Sequence, residues 1–341
     1  PCRCCGTSTR SAVMRVVAPG RVNLIGEHTD YTGGLVFPMA IDRWTTIDYD
    51  VTGSGIVLDS ADEDGTVSLA LGQPFDAAMT PSWGRYVGAV ASLMNSPRAI
   101  SGRINTTIPV GAGLSSSAAL EIAVALALGC ELPSSELAQL TQRAEHVATG
   151  VPTGIMDQLC IASARDGHGT MIDCRTLEVQ HVPIPTDVKI VVRFIAHRTL
   201  VGSAYADRVA QCAAAESIIG PLRDASLTDI AAITDATIAS RARHVITDNA
   251  RVVSFASALA SGDYSTAGEI MSDCHRSLAE DFAISNDQMN AAVHDMRAIP
   301  GVFGARMTGG GFGGCIVALC EPDAVVDGWH VKPVSAAHHV V

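Results

Sequence analysis

Three stretches of this 341-residue chain gather oxygen-bearing side chains and glycines at spacings suited to phosphate and hydroxyl chemistry. The first runs Gly20-Arg21-Val22-Asn23-Leu24-Ile25-Gly26-Glu27-His28-Thr29-Asp30-Tyr31-Thr32-Gly33-Gly34. Glu27, His28 and Asp30 offer hydrogen-bonding groups fit for the vicinal hydroxyls of a sugar. Arg21 is a fixed cation able to neutralise a transferring phosphoryl group. Asp30-Tyr31-Thr32-Gly33 would by itself also pass as a polar hairpin loop. The second stretch, Pro109-Val110-Gly111-Ala112-Gly113-Leu114-Ser115-Ser116-Ser117-Ala118-Ala119, is a glycine-rich loop running into a helix. Such a loop lets backbone approach a phosphate, and the helix start adds free N–H groups and a positive dipole end. Ser117 is placed to offer its hydroxyl to a metal bridging the phosphates. No lysine follows the glycines, so this is not a Walker loop, and Mg²⁺ with another cation must take the lysine's place. A plain strand-to-helix turn would carry a similar pattern. The third stretch is Ala144-Glu145-His146 followed by Gly154-Ile155-Met156-Asp157-Gln158. Asp157 sits in a largely apolar run, where a carboxylate needs a cation or a substrate; a helix cap or a buried ion pair is the ordinary alternative. Glu145 is an oxygen ligand that can complete Mg²⁺ coordination with Ser117. A last turn, Met307–Gly314, packs backbone closely against a neighbour, either the phosphate loop or the ligand.

These residues need elements to hold them. Ala12–Val17 reads as a strand ending in a turn at Ala18-Pro19-Gly20, and Trp44–Val51 and Gly55–Leu58 read as further strands. Ser82–Met94 has helical spacing, Ile104–Val110 reads as a strand, and Ser116–Gly129 as a helix buried on most faces. Pro133–Thr149 is a further helix with Ser134 as its cap. Thr170–Ile172 and Val179–Ile184 form a hairpin, and Pro183 and Pro185 bracket a boundary before the strand Val188–Phe194. Tyr205–Arg297 is mostly helical and amphipathic, and the strand Cys315–Leu319 follows the last glycine turn. The expected organisation is a tail at 1–11, a strand-rich α+β domain at 12–185 and a helix-rich domain at 186–341.

Composition bounds the function. The net charge is -12, and Lys189 and Lys332 are the only lysines. With no basic stripe, nucleic acid is excluded as the main partner, because backbone binding needs clustered positive charge. No apolar run reaches the roughly 18 residues of a membrane span. Ten cysteines at irregular spacing, several in apolar surroundings, read as free thiols in a reducing, cytoplasmic compartment. Cys2-Arg3-Cys4-Cys5 lacks the second ligand pair a metal site requires.

The segments Arg21–Ile41, Gly111–Ala119, Glu145–Gln158, Ile172–Leu177, Arg198–Cys212 and Arg306–Gly314 together resemble the GHMP kinases, and within them the galactose-phosphorylating branch. The resemblance runs from about Val16 to Leu319. It implies a two-domain α+β fold with the active site between the domains. The implied reaction is ATP-dependent phosphorylation of the anomeric C1 hydroxyl of galactose, by a monomer using Mg²⁺. By the same resemblance, Asp157 is the catalytic base and Arg21 stabilises the transition state. Glu27, His28, Thr29, Asp30, Gly154 and Tyr205 bind the sugar. Gly111, Ala112, Gly113, Leu114, Ser115, Ser116 and Ser117 bind the nucleotide phosphates, with Ser60 as a further nucleotide contact. Ser117 and Glu145 hold the metal. Arg193–His197 and Ala204 depart from the family pattern near the sugar pocket, and the segment after Cys320 is short and irregular. Alternatives are a kinase for N-acetylgalactosamine or arabinose, and a non-catalytic galactose/ATP sensor; the Ser117-Ala118 pair speaks against the sensor.

Overall fold

A computed structural model describes residues 13–197 and 203–340. The Cys2–Cys5 cluster and the start of the Arg198–Cys212 segment lie outside the described residues. The first half of the chain builds β1 (Met14–Ile25), β2 (Leu35–Val51), β3 (Ile56–Ser60), β4 (Thr66–Leu69), α1 (Gly84–Leu93), β5 (Ile100–Thr106), α2 (Ser116–Ala127), α3 (Ser134–Thr149), α4 (Met156–Ser163), β6 (His168–Asp173) and β7 (Glu178–Pro183). The second half builds β8 (Lys189–Ala196), α5 (Ser203–Ile219), α6 (Ala236–Ser261), α7 (Tyr264–Glu280), α8 (Asp287–Arg297), β9 (Val302–Thr308), β10 (Gly314–Cys320), β11 (Trp329–Val331) and β12 (His338–Val340).

Two sheets organise these elements. One has the order β12-β1-β2-β5-β3-β4, with β6 paired to β2 and β7 to β6; the other has the order β11-β8-β10-β9. β12 therefore returns to the first sheet, pairing Arg15–Val17 of β1 with Val340–His338. α2 lies on β1 and β2 with Ala118, Ala119, Ala123, Ala125 and Ala127 fully buried. A helix apolar on nearly every face belongs inside the core, and its alanines let it approach the sheet closely. On the second sheet, α7 packs on β9 across Gly268 and Gly304. A Cβ on Gly268 would stand 2.1 Å from the Phe303 carbonyl oxygen, so only glycine allows this approach.

Several boundaries differ from the sequence reading. β1 does not stop at Ala18-Pro19-Gly20. It shifts register there and runs on to Ile25, because Gly20 lets the strand pass against the loop ahead of α2; a Cβ would meet the Leu114 carbonyl oxygen at 2.8 Å. β5 lies earlier than Ile104–Val110. Its Ser101-Gly102-Arg103 segment hides the strand pattern, yet pairs with Asp50-Tyr49-Asp48 of β2. The cap of α3 is Pro133, not Ser134, and no side-chain bond is made there; proline sits just ahead of the helix at φ -55 and ψ 153, with no N–H of its own to satisfy.

Candidate active site

A cleft of about 380 Å³ opens where the ends of β1, α2, α3 and α4 meet Tyr205 of α5 and Gly309 and Gly310 of the turn after β9. Its walls include Arg21, Glu27, His28, Asp30, Gly111, Gly113, Ser115, Ser116, Ser117, Glu145, Gly154, Asp157 and Tyr205. Thirteen of the residues singled out from sequence thus meet in one place, although they come from segments far apart in the chain.

At the floor, Arg21 and Asp157 form an ion pair. Arg21 Nε and Nη2 lie 2.7 and 2.6 Å from Asp157 Oδ1, and Nη1 donates to the Gly113 carbonyl at 2.7 Å. Ser115 Oγ donates to Asp157 Oδ2 at 2.5 Å. Both carboxylate oxygens are therefore held, while the Asp157 side chain keeps about a quarter of its surface open (26%) and Arg21 is buried. Burial works against the Arg21 charge, but Asp157 and Glu27 more than offset it, and the guanidinium is held protonated above its usual range. Asp157 lies in the first turn of α4, and Ser115 is the left-handed residue (φ 62) that caps α2.

Beside the start of α2, Ser117 Oγ donates to Glu145 Oε1 at 2.8 Å, and Gln158 Nε2 donates to Glu145 Oε2 at 2.6 Å. Burial and then Asp157 push the Glu145 carboxyl upward. Behind it, Glu121 is fully buried, 3.3 Å from Gln158 Nε2, and is raised well above the carboxylate range by burial and by Glu145. Nothing in the sequence marks Glu121, which reads as one polar position in an apolar helix.

The Glu27–Asp30 turn follows β1. His28 is held at φ 61 between the Tyr31 hydroxyl (2.9 Å) and the Gly310 carbonyl (3.3 Å), and its ring packs 4.9 Å from both Tyr205 and Phe282. The amides of Met156 and Tyr31 bond the Asp30 carboxylate, yet burial, Asp157 and Glu27 raise it to about 7. Gly154 packs against that carboxylate so tightly that a Cβ would sit 1.8 Å from Oδ2. Glu27 Oε1 accepts from the Gly309 amide at 2.8 Å and from Thr308 Oγ1 at 3.2 Å.

Four expected site residues sit elsewhere. Thr29 is fully buried and does not line the cleft; its hydroxyl donates to the Leu35 carbonyl at 2.7 Å, bracing the turn from behind. Ala112 and Leu114 turn their side chains into the core, and Leu114 contributes its carbonyl to the Arg21 amide at 3.1 Å. Ser60 lines a neighbouring pocket of about 130 Å³ with Trp83, Tyr86, Ile104 and Leu120; Ser116 and Ser117 border both spaces. Tyr86 and Thr153 were not picked out from sequence. Tyr86 sits in no motif and Thr153 is an ordinary position inside the Glu145–Gln158 segment; the packing of α1 and of the loop before α4 brings them to the wall.

Comparison with known proteins agrees with this geometry. The galactokinase galactose-binding signature matches residues 6–49, the GHMP kinases N terminal domain residues 85–165 and the GHMP kinases C terminal domain residues 255–330. The chain is 41% identical over 337 residues to the galactokinase of Chloroflexus aggregans, covering 90% of this chain and 84% of that protein. It is 39% identical over 332 residues to human galactokinase, covering 91% and 84%. The crystal structure of Lactococcus lactis galactokinase complexed with galactose superposes with a TM-score of 0.89 at 29% identity, covering 96% of this chain and 95% of that one. A mevalonate kinase structure (TM-score 0.68, 19% identity, covering 94% of this chain and 99% of that one) shares the fold. The chain belongs to the galactokinase family of GHMP kinases.

Proposed function

We propose that this enzyme transfers the γ-phosphoryl group of ATP to the C1 hydroxyl of galactose, releasing ADP and galactose 1-phosphate. The observation that carries the reading is the Arg21–Asp157–Ser115 cluster, set between a glycine-rich helix start and the Glu27–Asp30 turn. The O1–P bond forms as the bond from the γ-phosphorus to the bridging oxygen breaks, and the hydroxyl proton passes to Asp157. A loose transition state asks more of orientation and charge neutralisation than of a strong base. Asp157, fixed on both oxygens, orients the hydroxyl, and Arg21 places positive charge beside the transferring group. Glu27, His28, Asp30 and Tyr205 bind the sugar, with the backbone at Gly154 leaving room for it. The polyphosphate lies along Gly111–Ser117, at the positive end of α2. The base occupies the side pocket of Ser60, Trp83, Tyr86, Ile104 and Leu120.

The donor set fits Mg²⁺. Ser117 Oγ and Glu145 Oε1 are hard oxygen ligands 2.8 Å apart at the cleft. Among the described residues no cluster of three or more His, Cys, Asp or Glu side chains forms a protein cage. That suits an ion that keeps waters and phosphate oxygens as its remaining ligands. When bound, Mg²⁺ would neutralise charge on the β- and γ-phosphates.

No helix of the described residues is long and apolar enough to cross a membrane, and Cys130, Cys160, Cys174, Cys212, Cys274 and Cys320 are free. Free thiols support a reducing compartment, and we place the enzyme in the cytoplasm as a monomer of two lobes meeting near residue 185. The test is ADP release with Mg-ATP against galactose, N-acetylgalactosamine, glucose and arabinose. The expected result is turnover with galactose well above the rest. Saturable galactose binding with no turnover would replace this reading by a sensor.

A further inference from the structure

Glu27 is gripped along its whole length by residues with no part in the chemistry above. Its amide donates to Asp248 Oδ2 at 3.2 Å, and its carbonyl lies 3.0 Å from His244 Nε2, both on α6. At the other end of the residue, Arg306 Nη2 stands 3.0 Å from Glu27 Oε1, alongside the Thr308 and Gly309 donors. Arg306, Asp248, His244 and Thr308 are each 0% exposed and none lines the cleft. The network extends outward. Asp248 Oδ1 lies 3.3 Å from Arg251 Nη1, and His244 Nδ1 lies 2.9 Å from Ser277 Oγ on α7.

Fully burying an arginine and two carboxylates costs more than an apolar cluster of the same volume. Arg306 Nε and Nη2 and Asn23 Oδ1 make no hydrogen bond among the described residues, so Nη2 meets Glu27 Oε1 as an ion pair alone and the network does not even satisfy its own polar atoms. Such an arrangement is better explained by what it points at. Arg306 Nη2, Thr308 Oγ1 and the Gly309 amide face Glu27 Oε1, while Arg306 Nη1 and the Thr308 hydroxyl also meet the Asn23 carbonyl at 3.1 and 2.9 Å; that leaves Glu27 Oε2 for the cleft.

We propose that Arg306, backed by Thr308, Asp248 and His244, is a positioning residue that fixes the Glu27 carboxylate so that Oε2 meets a sugar hydroxyl. The proposal rests on the reading that Glu27 binds the sugar. β9 and α6 then set sugar affinity from outside the cleft. Arg306 supplies the positive charge that faces the Glu27 carboxylate, and the peptide-level grip of α6 sets its height in the cleft.

The test is a double-mutant cycle read by the KM for galactose, with the KM for ATP as the internal control. Arg306→Lys keeps the charge and loses the fork geometry; the galactose KM should rise about tenfold, one contact's worth of about 1.4 kcal/mol, with the ATP KM within about twofold. Thr308→Val removes one donor and keeps the shape, so it decides the matter if the buried arginine cannot be replaced in a folded enzyme; about threefold is expected. In a Glu27→Gln background both changes should have effects within about twofold, because the carboxylate charge they hold in place is gone. Effects that persist undiminished in that background would overturn the proposal, as would a normal galactose KM in both single variants while Glu27→Gln raises it. If Glu27→Gln itself leaves galactose KM unchanged, the sugar-binding assignment of Glu27 fails first, and the proposal with it.

Discussion

Replacing Gly154 by alanine adds one methyl group, aimed at the Asp30 carboxylate. Gly154 does not have a positive φ, so alanine brings no backbone strain and the effect is steric alone. The new Cβ would stand 1.8 Å from Asp30 Oδ2 and 2.0 Å from Cγ, where contact distances lie near roughly 3.5 Å. Asp30 must therefore retreat by about 1.5 Å, off the Met156 and Tyr31 amides that hold it. A misplacement of about 1 Å at a positioning group costs about a hundredfold in rate, so kcat/KM for galactose should fall by about two orders of magnitude. The nucleotide loop lies on the far side of Asp157, and the KM for ATP should stay within about threefold. Steady-state kinetics with each substrate varied in turn separates the two. A galactose kcat/KM within about threefold of the parent would refute the reasoning, for it would mean that Asp30 moves freely or does not touch the sugar.

Asp157→Asn keeps the shape and removes the proton acceptor. Turnover should drop by about 10²–10⁴-fold while ATP binding, read by fluorescence titration, stays nearly intact, and substantial residual turnover would remove Asp157 from its role. Ser117→Ala should raise the Mg²⁺ concentration for half-maximal activity by about tenfold, the equivalent of one lost charge-assisted contact, and an unchanged requirement would count against this ligand. Asp30 carries a proton in the folded enzyme up to about pH 7, whereas an unfolded Asp releases it near 4. The folded state thus binds more protons across that window, and this group costs stability as pH rises from about 4 to about 7. The melting temperature of ligand-free Asp30→Asn should therefore exceed the parent's at pH 8 and match it at pH 4; equal gains at both would mean that the carboxylate's ionisation is not the cause.

The chemistry was more legible in the sequence than its supports. Arg21, Asp157 and the glycine loop stand out because each motif is contiguous, and the fold brings the motifs together. Thr29 stood in the same motif and was assigned to the sugar with its neighbours, but alternation along a tight turn sends its side chain backward to the Leu35 carbonyl. The Arg306–Glu27 pair joins residues at opposite ends of the chain, and nothing local in either segment announces the other. Glu121 was hidden in an alanine-rich helix, where its cost becomes visible only once Gln158 and Glu145 are seen beside it. Strand limits in the structure depart from the sequence pattern where glycine interrupts it, at Gly20 and Gly102. In both places the missing side chain allows a close backbone approach and does not mark an end.

The glycine seam between α7 and β9 has a mechanical consequence. With Gly268 and Gly304 backbone to backbone, no side chain lies between helix and strand at that crossing to be compressed or to change rotamer. Helix and strand must then travel as one stiff lever, carrying Arg306 at one end. Any closing of the enzyme around its sugar would bend at the loops flanking this lever, and the arginine would arrive at Glu27 at the same angle each time.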